Sequence, residues 1–201
     1  HSWQEDIGFR AAKSRNKAIV KSCGDYIILI DGDMILHPKF VQDHVNNAKV
    51  GYFMQGSRVL LSQDITEQII ISNRISFSFF SKGMKGRKNS IHSNFLSKIF
   101  STNKNSLSGT RSCNIAFFKQ DFIGVNGFNN AFEGWGREDS EFIVRLLNNG
   151  LNRKVVRFNA VQYHLWHKDS DRKHLDYNNQ LLRNSIEHKL KVCTNGINKY
   201  I

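Results

Sequence analysis

Residues 26–30, YIILI, form an unbroken apolar run that ends in Asp31-Gly32-Asp33. A continuous run of this length reads as a strand covered on both faces, as in a parallel sheet between helices. It constrains the fold more than any other segment, because a strand hidden on both sides needs a layer on each side. The neighbouring segments predict those layers. Ala11, Ala12, Ala18 and Ile19 form two i,i+7 pairs within residues 8–22, which predicts a helix with one buried side, stopped at Gly24. Pro38 fits the first turn of a helix reaching residue 49. Residues 52–61 predict a strand, 65–71 a short helix and 114–118 another strand. Phe142, Ile143, Leu146 and Leu147 share one face of a helix over 139–149, with Gly150 as its stop. Residues 155–161 predict a strand. The polar residues after 169 predict a helical extension over 169–201. Helices alternating with strands predict an α/β domain, and 201 residues suffice for one core.

Composition narrows the partners. The formal charge of +12 predicts attraction to something anionic: nucleic acid, an anionic membrane surface or a phosphorylated substrate. Cys23, Cys113 and Cys193 are odd in number, far apart and without metal-ligand spacing, which fits reduced thiols in a cytoplasmic protein. No apolar run approaches the roughly 20 residues that cross a bilayer. Residues 72–110 are rich in Ser, Asn and Lys, with Phe95, Leu96, Ile99 and Phe100 among the lysines. They read as a basic, mobile insertion, able to rest on an anionic membrane through lysines 82–104 or to remain a solvated loop.

Three stretches carry chemistry. In α/β sheets ligands bind beyond the carboxyl ends of strands, where Asp31 and Asp33 lie. Two carboxylates one residue apart can offer oxygen ligands to Mn²⁺ or Mg²⁺. As ordinary turn residues they would mean nothing more than the end of a strand. The second stretch, FEGWGREDSEF (132–142), sets Trp135 between Gly134 and Gly136, with Glu138 and Asp139 at a predicted helix start. A helix N-terminus favours acids, which accounts for the carboxylates but not for an indole held between two glycines. The third, YHLWHK (163–168), places His164 and His167 after a predicted strand, as metal ligands or as packing histidines.

Together these stretches resemble the family 2 glycosyltransferases of GT-A fold, in particular bacterial members whose C-terminal half is shared with β-1,4-galactosyltransferases and chondroitin-type polymerases. The resemblance runs through WQEDIGFRAAKSRNKAI (3–19), GDYIILIDGDMI (24–35), RSCNIAFFKQDFIGVNGFN (111–129), FEGWGREDSEFIVRLLNNG (132–150) and VQYHLWH (161–167). It implies a mostly parallel sheet flanked by helices over residues 1–168, truncated at the N-terminus. It further implies an inverting transfer from a nucleotide-sugar, a UDP-sugar by preference, to a saccharide or lipid-linked saccharide acceptor in bacterial surface polysaccharide or lipopolysaccharide synthesis. Asp31 and Asp33 match the DxD motif, with Asp33 on the metal and Asp31 towards the ribose and metal. Arg10 matches a nucleotide-contacting arginine, and Asp139 the catalytic base, beside Glu138. Trp135 and Gly134 match the acceptor wall, and one of His164 and His167, preferentially His164, completes the metal shell.

The resemblance also implies that the chain begins where a nucleotide-binding half would already have ended. A non-catalytic remnant of a transferase is therefore a second reading. A basic nucleic-acid-binding protein is a third, but no RNA-recognition, zinc-finger or helix-turn-helix signature accompanies the charge, and no nucleic acid is expected. The expected location is cytoplasmic, peripheral to the inner face of the membrane.

Overall fold

A computed structural model describes residues 1–73, 75, 77–168 and 171–200. In chain order its elements are α1 (Ala11–Lys21), β1 (Tyr26–Leu29), β2 (Met34–Leu36), α2 (Phe40–Asn47), β3 (Tyr52–Gln55), β4 (Val59–Leu61), α3 (Gln63–Ser72) and β5 (Met84–Lys85). Then follow α4 (Asn94–Phe100), β6 (Thr102–Asn103), β7 (Ile115–Phe118), α5 (Lys119–Gly124), α6 (Glu138–Asn148), β8 (Asn152–Val155), β9 (Gln162–His164) and α7 (Leu175–Glu187). The α/β class expected from the sequence is the class observed.

The strands form two sheets, ordered β1-β7-β3-β8-β6 and β2-β9-β4-β5. Only β3–β8 and β4–β9 pair in parallel; the other pairs are antiparallel. The sheets are therefore mixed, not mostly parallel. β1 is an edge strand, so Ile27 is buried while Tyr26, Ile28 and Leu29 are only partly covered and Ile30 is exposed. The apolar run at 26–30 overstated how deeply this strand is enclosed. The strand expected over 155–161 begins and ends earlier, as β8, and the residues after it turn towards β9. α1 ends on Ser22, whose Oγ donates to the Ile19 carbonyl at 2.7 Å, so Gly24 is not its stop. Gly150 does follow the C-cap of α6, with φ +88°.

The main core joins α1, β1, β3, β7, α5 and α6. Phe142 on α6 packs on Phe117, Phe122 and Phe128, with ring centroids 5.2, 6.1 and 4.2 Å away. Each such pair is worth about 0.5–1.5 kcal/mol beyond the area it buries. This aromatic knot fixes the rotation of α6 and with it the direction of the acids in its first turn.

The described residues of 72–110 are built into the sheets rather than forming an excursion. β5 pairs with β4, and β6 with β8. Ser93 caps α4 by accepting from the Leu96 amide at 3.2 Å. The anchor is polar: buried Asp43 meets His92 Nε2 at 3.0 Å and accepts from Asn159 Nδ2 and the Ala160 amide, both at 2.9 Å. Arg74 and Ser76 of this segment, and Asp169 and Ser170 further on, lie outside the described residues. The C-terminal residues are likewise built into the domain. Ser185 on α7 donates to Glu141 at 3.1 Å, and Ile197 is buried in the main core.

Candidate active site

A cleft of about 1080 Å³ opens where β1, the 134–140 turn, β9 and the start of α7 converge. Asp31, Asp33, Trp135, Glu138, Asp139, His164 and His167 all line it. The chain turns at Gly32 between β1 and β2, which belong to different sheets, and the two aspartates meet different partners.

Asp33 meets the histidines through strand register. β2 pairs with β9 so that Met34 lies opposite His164, and the Leu165 amide donates to the Asp33 carbonyl at 3.0 Å. Asp33 Oδ2 then lies 3.2 Å from His164 Nε2 and 3.1 Å from His167 Nε2. Both imidazoles reach the carboxylate, where only one of them was expected. Asp33 Oδ1 is buried without a hydrogen-bond partner among the described residues. His167 Nδ1 lies 2.8 Å from the Lys168 carbonyl, which can only accept, so Nδ1 carries a proton. A neutral His167 thus presents the bare lone pair of Nε2 to a carboxylate oxygen. Two lone pairs at that distance repel unless the ring is protonated or a cation lies between them. Burial holds His164 below the ordinary histidine range, against the pull of Asp33. A neutral ring with an available lone pair is the form that ligates metal.

Asp31 faces elsewhere. Arg15 bridges it to the far side of the cleft, with Nη2 3.1 Å from Asp31 Oδ1 and Nη1 3.0 Å from Glu138 Oε1. Burial disfavours the Arg15 charge, but Glu138, Asp31 and Asp139 outweigh it and leave its pKa raised. Burial and the neighbouring Asp139 raise the Glu138 pKa, and Arg15 opposes them.

α6 begins without a side-chain cap. Its N-cap is Arg137, in the left-handed region at φ +79°, so neither acid is spent on capping. Asp139 instead accepts from the Ser140 amide at 2.6 Å and the Ser112 amide at 3.3 Å. The Trp135 turn is held by Asn178 on α7 and by Arg172 just before it. Asn178 Nδ2 donates to the carbonyls of Glu133 and Gly136, and the Arg172 guanidinium lies 5.0 Å over the indole. Gly134 sits at φ +70° with His174 so close that a Cβ would fall 2.7 Å from its ring. Gly134 therefore shapes the turn without itself lining the cleft.

Arg10 does not line the cleft. Its guanidinium donates to the carbonyl of Glu5, and Arg15 enters the cleft from the same segment. Sequence reading missed Arg15 although Ala11, Ser14 and Arg15 share the i, i+3, i+4 spacing of one helix face. It also missed Arg58, Arg111 and Cys113, which line the wall, and Arg172 in the segment thought to hold little chemistry.

The fold and the cleft define a GT-A-type α/β protein. The model of glycosyl transferase family 2 matches residues 5–123, more than half of the chain, and the chain belongs to that family. The family described as the N-terminal domain of galactosyltransferase matches residues 96–168. Mouse β-1,4-galactosyltransferase 1 is 44% identical over 46 residues, 23% of this chain and 11% of that protein. Among solved structures, GalNAc-T7 with UDP, GalNAc and Mn²⁺ superposes with a TM-score of 0.56 at 9% identity, over 83% of this chain and 32% of that one. The catalytic domain of Drosophila β1,4-galactosyltransferase 7, complexed with xylobiose, gives 0.50 at 16% identity, over 89% and 62%. At these identities the likeness is one of fold, and the chain spans less than two thirds of each of these relatives.

Proposed function

We propose that this chain carries the catalytic centre of a metal-dependent, inverting glycosyltransferase that moves a sugar from a UDP-sugar to a saccharide hydroxyl. The observation that carries the reading is that Nε2 of His164 and Nε2 of His167 gather on one oxygen of Asp33, whose other oxygen is buried with no hydrogen-bond partner among the described residues. The three donor atoms lie within 4.8 Å of one another, a span that suits one divalent cation. Two imidazoles favour Mn²⁺ over Mg²⁺, which prefers all-oxygen shells. When bound there, such a cation neutralises charge on the diphosphate of the donor.

The protein's own groups perform the rest. Asp139 is the base that takes the proton of the acceptor hydroxyl as the new bond forms. Its carboxylate is oriented by two backbone amides and open to the cleft. Glu138 is unsuited to that task, because Arg15 engages it, and it serves to position Arg15 and α6. Arg15 holds Asp31 towards the nucleotide side. Trp135 offers an aromatic wall on which an acceptor sugar ring rests. Attack opposite the departing UDP inverts the anomeric centre. The UDP and Mn²⁺ of the GalNAc-T7 structure agree with this donor and metal.

The same reading makes this a cytoplasmic enzyme of bacterial surface polysaccharide or lipopolysaccharide synthesis, working on a lipid-linked acceptor at the inner membrane surface. No helix among the described residues is long and apolar enough to cross a membrane.

The test is turnover against a panel of UDP-sugars with Mn²⁺, for wild type and Asp139→Asn. General-base catalysis supplies about 10²–10⁴-fold, so the variant loses about that factor while UDP and Mn²⁺ affinities hold. Wild type that binds UDP with Mn²⁺ but neither hydrolyses nor transfers any sugar indicates a non-catalytic remnant.

A further inference from the structure

The carboxylates in the cleft are all engaged. Asp31 and Glu138 belong to Arg15, Asp33 to the two histidines, and Asp139 to the amides of Ser112 and Ser140. Arg58 and Arg111 also line the cleft, and among the described residues neither has a carboxylate within ion-pair distance. The Arg58 guanidinium donates from Nη1 to the Cys113 thiol at 3.7 Å. Burial raises the Cys113 pKa although both arginines pull it down, so the thiol stays neutral and cancels no charge.

The backbone of both arginines is fixed. Buried Gln55 holds Arg111 from two sides, accepting from its amide at 3.2 Å and donating to its carbonyl at 2.9 Å. Asn89 donates to the Arg58 carbonyl at 3.0 Å. Near Arg111, buried Arg153 donates to the carbonyls of Ser106 and Ser108, with no carboxylate partner among the described residues. Its charge lowers the cost of bringing an anion to this wall. Guanidiniums held on a cleft wall without counter-charge suit bidentate recognition of phosphate or carboxylate oxygens.

We infer that Arg58 and Arg111 form an anion subsite beside the Asp33–His164–His167 group, which takes an anionic group of the bound sugar nucleotide through its phosphate or carboxylate oxygens. The inference rests on the transferase reading for the identity of the ligand, but not for the existence of the subsite. The two sources differ in place. A phosphate occupant is the departing diphosphate, and a carboxylate occupant is a uronate on the transferred sugar, next to Asp139.

Calorimetry at constant Mn²⁺ separates them, with inorganic pyrophosphate, UDP, UDP-glucose and UDP-glucuronate as probes. The proteins are wild type, Arg58→Met, Arg111→Met and, as a control for general charge, Lys98→Met on α4. Near-ultraviolet circular dichroism verifies the fold of each. With a phosphate occupant, each arginine variant loses about tenfold or more in affinity for pyrophosphate and UDP. With a carboxylate occupant, those two affinities hold and the preference for UDP-glucuronate over UDP-glucose disappears. Both results support the subsite, provided that Lys98→Met matches wild type. Arginine variants that match wild type on all four probes, or a wild type that binds none of them, overturn it. Pyrophosphate binding lost in the variants, with no sugar transferred from any donor by wild type, retains the subsite and rejects the transferase reading.

Discussion

Arg15 on α1 and Glu138 on α6, 123 residues apart, meet with Nη1 3.0 Å from Oε1. That contact ties the DGD turn to the helix that bears Asp139, because the other arm of the same guanidinium holds Asp31. Removing one partner of a fully buried pair costs about 3–5 kcal/mol. Here the two side chains are 16% and 11% exposed, so Arg15→Met is expected to cost about 2–3 kcal/mol in urea unfolding. The Glu138 pKa is raised, so the folded state binds its proton more tightly than the unfolded state. Stability from this group is therefore present at acid pH and is lost as pH rises from the ordinary carboxylate value through the raised one. Glu138→Gln should flatten that segment of the stability–pH curve; an unchanged slope removes Glu138 as its source.

Metal binding should depend on Asp33 and on both histidines. Asp33→Ala is expected to abolish Mn²⁺ binding measured by calorimetry. His164→Ala and His167→Ala should each weaken it by at least the roughly 10–100-fold seen when supporting groups of metal sites are lost. Asp31→Ala should weaken it less, since Asp31 is engaged by Arg15. Affinity should fall with acid, as imidazoles must be neutral to ligate. A His167→Ala protein with wild-type Mn²⁺ affinity would return the site to a single-histidine arrangement.

His44 is expected to govern acid stability. It is fully buried, and its Nε2 donates to Asn114 Oδ1 at 3.0 Å, because the Asn114 amide nitrogen is already spent on the carbonyls of Ser57 and Ala160. Its Nδ1 has no hydrogen-bond partner among the described residues. Burial lowers its pKa from 6.5 to about 4. The unfolded chain thus binds this proton first, and stability present above pH 6.5 is lost as pH falls towards 4, by about 3 kcal/mol at about 1.4 kcal/mol per pH unit. Unfolding midpoints of wild type and His44→Gln should converge as pH falls from 7 to 4. Parallel curves would place the acid sensitivity elsewhere.

Association with anionic membranes should follow the lysines. From residue 68 to residue 120 the chain carries nine Lys and Arg and no Asp or Glu, so this quarter of the chain dominates the +12 charge. Phe80, Phe95 and Ile99 are exposed within it. Deletion of 82–104 is a poor test, because it removes β5, α4 and β6. Neutralising Lys82, Lys85, Lys88 and Lys98 together should weaken binding to vesicles containing phosphatidylserine by about 1 kcal/mol per lysine near the surface. Turnover on a soluble acceptor should hold. Vesicle binding that survives the fourfold substitution at low salt would leave the segment as a structural part of the sheets only.

The sequence by itself determined the local elements and the stretches that meet in the cleft. Asp31-Gly32-Asp33, the Trp135 turn, Glu138-Asp139 and His164–His167 all stand at element ends, where an apolar period stops and polar residues must have another reason to be there. Periodicity cannot say which polar residue of a helix turns inward. Arg10 and Arg15 are five positions apart, about 140° around a helix, and only the packing of Ala12, Asn16 and Ile19 against the core turned Arg15 into the cleft. Order in the described residues of 72–110 was hidden because its anchors are a buried Asp43 and an edge pairing, and neither leaves an apolar period. The sheets proved mixed because strand direction depends on connections that wrap around the whole domain. The tertiary structure also decided that Asp33 meets two histidines. The 34-to-164 register is a long-range pairing, and its energy comes from packing the finished sheet, which no local stretch of the chain contains.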